Sequence, residues 1–142
     1  MTLATASELD AFADKVEAAT AWTPQMNIDL YNLIAPLSLK LQNRTLAKPT
    51  SNCFDSLLPW KPNGWKRDAM AEVPLGAYAG FVKFQDSKAV GPVRVASCQT
   101  KKLCATLTLA LVAATARVWS YELHPTQDWM AGLPRGAMVA TV

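Results

Sequence analysis

Residues 103–123 read LCATLTLALVAATARVWSYEL, and the fold turns on whether this run is extended or helical. Leu103, Leu107, Leu109 and Leu111 share one parity while Cys104, Thr106 and Thr108 share the other, which is the period of two of a half-buried strand. Leu103, Leu107 and Leu111 also fit a period near four, and Ala and Leu are strong helix formers, so one buried helix from Leu103 to Tyr121 competes. Thr106, Thr108, Thr115 and Val112 weigh toward β structure. The pattern therefore favours two strands, 103–112 and 117–123, with a turn at Ala113 to Ala116.

Working back from this run, Tyr78 to Phe84 and Val90 to Cys98 are two further short apolar stretches, separated by Gln85-Asp86-Ser87-Lys88 and followed by Gln99-Thr100-Lys101-Lys102. Such separators suit hairpin turns, so an antiparallel meander of about four strands is expected over 78–84, 90–98, 103–112 and 117–123. Two helices precede it. Thr5-Ala6-Ser7-Glu8 has the spacing of a capping box, and Leu9, Phe12, Val16 and Ala19 then recur at helical intervals, predicting a helix over about 7–21. Thr23-Pro24 reads as an N-cap and first-turn pair. It opens a stripe of Met26, Leu30, Leu33, Leu37 and Leu41, predicting a helix over about 24–43 with a kink near Pro36. The fold class is α+β, with the helices packed on one face of the sheet.

Between the helices and the sheet, residues 44–74 lose all periodicity and contain Pro49, Pro59, Pro62, Asn63, Gly64 and Pro74, so a long irregular connection is expected there. Residues 125–142 read as a C-terminal extension, docked on the domain or reaching to a neighbouring subunit. At 142 residues the whole chain is expected to form one domain. Met1 to Asp10 lacks a basic and apolar leader, so no secretory signal is expected. The most apolar stretch falls short of the roughly 20 residues that span a bilayer, and no membrane association is expected. A virion or cytoplasmic location suits such a chain.

The net charge of +3 conceals a strong asymmetry. Residues 1–39 hold Lys15 against Glu8, Asp10, Asp14, Glu17 and Asp29, a net −4, whereas residues 40–102 hold eleven cations against Asp55, Asp68, Glu72 and Asp86, a net +7. Residues 103–142 balance at zero. An acidic front and a basic middle imply a polyanionic partner or head-to-tail contact between copies.

The basic middle includes Trp60-Lys61-Pro62-Asn63-Gly64-Trp65-Lys66-Arg67, in which indoles alternate with cations. Aromatic faces stack on bases while Lys and Arg neutralise phosphates, so Trp60, Lys61, Trp65, Lys66, Arg67, Arg94, Lys101 and Lys102 are the candidate nucleic-acid contacts. The structural alternative is that prolines pin both indoles into the core and the cations merely solubilise the rim.

No catalytic constellation accompanies them. His124 has no nucleophile elbow beside it and stands where a strand should end. Asp10, Asp14 and Glu17 fall on what should be a wetted helix face. Cys53, Cys98, Cys104 and His124 match the count of a tetrahedral zinc site but not its spacing, so free thiols are expected, with Cys98 and Cys104 near neighbours across a hairpin. Neither a metal nor a cofactor is expected. These features together suggest a non-enzymatic, self-assembling subunit of coat or capsid type that binds nucleic acid, RNA before DNA, and forms dimers or larger assemblies. The alternative is a protein-interaction module whose Trp/Pro-rich loop is a hot spot.

Overall fold

A computed structural model describes residues 3–49 and 60–124, the side chain of residue 69 excepted. The α+β class holds: two N-terminal helices, α1 (Ala6–Ala18) and α2 (Pro24–Gln42), precede an antiparallel sheet of β1 (Trp65–Val73), β2 (Gly76–Ser87) and β3 (Gly91–Gln99), and a third helix, α3 (Leu107–Leu123), follows. Strand order is β1-β2-β3.

Local chemistry sets both ends of α1 and α2. The Thr5 hydroxyl accepts from the Glu8 N–H at 3.1 Å while the Glu8 carboxylate accepts from the Thr5 N–H at 3.0 Å, the reciprocal pair that satisfies two orphan donors. Pro24 begins α2, where a missing N–H costs nothing, and Asn43 ends it in the left-handed conformation at φ 49°. Pro36 does not break the helix, which runs six residues further to Gln42. Asn32, four residues earlier, is exposed, so water can satisfy the carbonyl that loses its partner.

The decisive run is helical. Thr106 caps α3 by accepting from the Leu109 N–H at 3.2 Å, and no turn interrupts residues 113–116. Residues 107–123 of the expected strands at 103–112 and 117–123 are therefore one helix, as in the competing reading, which began it at Leu103; Cys104 lies instead in a β-bridge. Every residue from Leu109 to Ser120 is buried, because the sheet lies against one side of α3 while α1 and α2 lie against the other. A helix covered all round has no polar face, so its 3.6-residue period disappears from the sequence and chance parity takes its place. The Thr115 hydroxyl donates to the Leu111 carbonyl at 2.8 Å, which removes the main objection to a buried threonine in a helix.

The other departure is β1, whose nine residues lie in the stretch expected to be irregular. Its register with β2 runs from Trp65 opposite Lys83 to Arg67 opposite Phe81, then slips before Met70 meets Ala79. A bulge of this kind resets which face each later side chain takes, so strict alternation cannot reveal the strand. The sheet thus has three full strands. A bridge between Ala77 and Cys104, with 2.8 Å hydrogen bonds in both directions, adds a fourth backbone segment beside β2. Gly76 permits that approach: a Cβ there would lie 2.7 Å from the Cys104 carbonyl oxygen. Cys98 pairs with Phe81 and Cys104 with Ala77, four residues apart on β2, or about 13 Å along the strand. They are not neighbours across a hairpin, and they are too far apart for a disulfide.

Candidate nucleic-acid interface

The Trp60 to Arg67 segment closes the core. Both indoles are buried, at 0% exposure for Trp60 and 2% for Trp65. Trp60 donates its indole N–H to the Ala47 carbonyl at 2.9 Å, while its own carbonyl accepts the indole N–H of Trp119 at 2.7 Å. Its ring lies 5.6 Å from Tyr31, whose hydroxyl donates to the Leu46 carbonyl. Trp65 meets the edge of Tyr121 at 5.5 Å. Between the two rings, Pro62-Asn63-Gly64 turns with Gly64 at φ 90°, and the Trp65 N–H donates to the Pro62 carbonyl.

The end of α2 holds this turn in place. Gln42 accepts from the Asn63 N–H at 2.7 Å, and the Arg44 guanidinium donates to the Asn63 side chain and the Lys61 carbonyl. Neither ring has a face open to a base, so the stacking role expected of Trp60 and Trp65 has nothing to act through, and the structural alternative describes both.

The remaining candidates fall into two groups. Lys66, Arg67 and Arg94 are exposed on the sheet, whereas Lys101 and Lys102 are exposed beyond the end of β3, beside α1. Strand register assigns the sheet faces. Trp65, Lys83 and Ala96 form a row on the helix side, where Lys83 pairs with Glu122 of α3 at 3.4 Å and sits 5.9 Å above Trp65. The next row, Lys66, Val82 and Ser97, is on the opposite face. Phe84 shares that face: its ring lies 6.0 Å from Lys66 Nζ, and Arg94 is its register partner on β3. Arg94 also reaches Asp68 at 3.7 Å, a half-exposed pair of small energetic weight. Among the described residues, Lys66, Arg67 and Lys88 have no ion-pair partner.

The acidic front behaves differently. Asp10, Asp14 and Glu17, expected on a wetted face, converge instead on Arg117, the lone charge in the α3 core run. Arg117 grips Glu17 with two bonds, at 2.8 and 3.2 Å, and also binds Asp14 and Asp10. Glu17 takes a further bond from the Lys101 N–H at 2.9 Å. Burial opposes the Arg117 charge, but the hydrogen bonds it donates to Glu17 and Asp14 outweigh that and raise the guanidinium pKa. The Arg117 bond in turn holds the Asp14 carboxyl below its ordinary value, helped by the nearby charges of Lys101 and Lys102. One guanidinium thus meets three carboxylates of the first helix, and only Glu17 among them is fully buried. A carboxylate triplet at i, i+4 and i+7, taken with one arginine in an apolar run, was the available signal for this network.

His124 caps α3, donating its N–H to Ser120 and Tyr121 carbonyls, and so ends a helix rather than a strand. Burial pushes the Cys98 and Cys104 thiols up to about 12, far from the reactive thiolate range. Cys53 and the extension at 125–142 lie outside the described residues. An apolar groove of about 580 Å³ beside α2, with Tyr31, Pro36, Leu39 and Lys40 in its wall, gathers no acid and base pair. Among the described residues no helix is long and apolar enough to cross a membrane. Comparison with protein-family models, curated proteins and solved structures finds no match for this chain.

Proposed function

We propose that this chain is a self-assembling structural subunit, coat- or capsid-like, that binds nucleic acid through the exposed basic surface of its sheet. The observation that carries this is the difference in how the charges are partnered. The acidic helix spends Asp10, Asp14 and Glu17 on Arg117, while Lys66, Arg67 and Lys88 stay exposed without an ion pair among the described residues. Exposed cations at the sheet, Lys66 on the face opposite α3 and Arg67 on the other face at the β1 edge, attract a polyanion and release its counterions.

Self-assembly draws on a second set of features. Beyond Lys83, β2 has only β3 as a partner, so the hairpin continues as a two-stranded ribbon. That ribbon exposes Val90, Val93 and Val95, with Val90 at 75%, and Leu75 at the opposite turn is 87% exposed. Open strand edges beside exposed apolar side chains favour contact between copies. In this role the protein resides in a nucleic-acid-containing particle, a virion for example, with RNA as the first partner to test.

Light scattering together with the 260/280 nm absorbance ratio of the purified protein tests the proposal. A multimer that carries nucleic acid and changes size on nuclease treatment is expected. A nucleic-acid-free monomer at every salt concentration would overturn it.

A further inference from the structure

We infer that Phe84 is the base-stacking platform of the sheet, and that its ligand is an unpaired nucleic-acid strand crossing the β2–β3 ribbon beyond Lys83, where the face opposite α3 is exposed. This rests on the nucleic-acid function proposed above and names the site. Val82 and Ser97, further along that face, are buried. Phe84 keeps 38% of its surface exposed. Lys66 Nζ sits over one face of its ring at 6.0 Å, and Arg94 is its cross-strand partner on β3, so a base stacked on the other face would have cations near its phosphates. Lys88, on the hairpin turn, extends the same positive track.

The platform also differs from its surroundings in a way that selects the ligand. Trp60 and Trp65, the rings of the Trp60 to Arg67 segment, are buried. A ring standing on a sheet face presents itself to splayed-out bases, and a duplex keeps its bases paired and stacked out of reach. Two carboxylates oppose the positive track: Asp68 is 3.7 Å from Arg94, and Asp86 is exposed two residues beyond Phe84 on β2, so a phosphate must compete with both.

The test is fluorescence anisotropy of the full chain, freed of nucleic acid, with a fluorescein-labelled oligouridylate of about 15 nucleotides and a duplex of equal length. The single strand should bind more tightly than the duplex. Phe84→Leu, which keeps an apolar side chain but no ring, should weaken single-strand binding by about tenfold, the lower part of the range for one lost stack. Phe84→Tyr should retain parental affinity, and Asp68→Asn should tighten binding several-fold by freeing Arg94. If the parent binds the single strand and Phe84→Leu binds it equally well, the platform is wrong while the nucleic-acid function stands. If the parent binds neither probe at low salt, the function itself fails.

Discussion

Two stretches of this chain place aromatic rings beside cations, and the fold uses them in opposite ways. In Trp60 to Arg67 the rings are buried, that of Trp60 is hydrogen-bonded to Ala47, and Arg44 and Gln42 tie the intervening turn to the end of α2. In the ribbon around Phe84 the ring is exposed, Lys66 and Arg94 flank it, and β1 no longer runs alongside. The first stretch has the stronger composition for binding and the weaker opportunity. A large ring contributes most to stability where a core can surround it, so exposure, which composition does not report, decides which cluster can meet a ligand.

Substitutions that break the comparison should separate cleanly. Trp60→Ala removes a buried indole together with its bond to Ala47, and should lower the unfolding free energy by about 3–5 kcal/mol in chemical denaturation. Phe84→Leu should change it by less than about 0.5 kcal/mol, as exposed substitutions do. If both cost the same, the two stretches are not the opposites described.

Arg117→Met strands Glu17 in the core and should also cost about 3–5 kcal/mol, whereas pairing it with Glu17→Leu should recover much of the loss, because no uncompensated charge then remains. Arg44→Ala releases the turn between the two indoles. It should cost about 1–3 kcal/mol through the unpartnered Lys61 carbonyl and leave oligonucleotide affinity unchanged.

The smallest effect is a dependence on pH. Asp14 is held below the ordinary aspartate value of 3.8 in the folded chain, so its contribution to stability is present above pH 3.8 and is lost as pH falls through the lower folded value. Acid titration followed by circular dichroism should show that decline starting near or below pH 4. Asp14→Asn should flatten it.

How much of this was legible in the sequence depended on whether a residue's environment left a periodic trace. The capping box at Thr5, the Thr23-Pro24 start of α2 and the β2–β3 hairpin all obey local rules, and all are present. Helix α3 obeys none, because burial on every side erased its period, and the bulge in β1 broke the alternation that would have marked that strand. At the interface, Lys66, Arg67 and Arg94 were legible as cations of a basic middle. Burial of Trp60 and Trp65 depends on Trp119, Tyr31 and Tyr121, which come from distant positions, and the pairing of Arg117 with Glu17 spans 100 residues. Contacts between remote positions leave no mark in the spacing of either partner.

The central claim is that polyanion binding belongs to the cations of the sheet and not to those beside α1. The salt dependence of oligonucleotide binding tests it most directly, comparing Lys66→Ala/Arg67→Ala/Lys88→Ala with Lys101→Ala/Lys102→Ala. For a single strand, the slope of log Kobs against log salt should shrink by about 0.7 for each phosphate contact removed, or roughly 2 for the triple variant, and stay at the parental value for the double variant. A triple variant with the parental slope, or a double variant that loses it, would contradict the account.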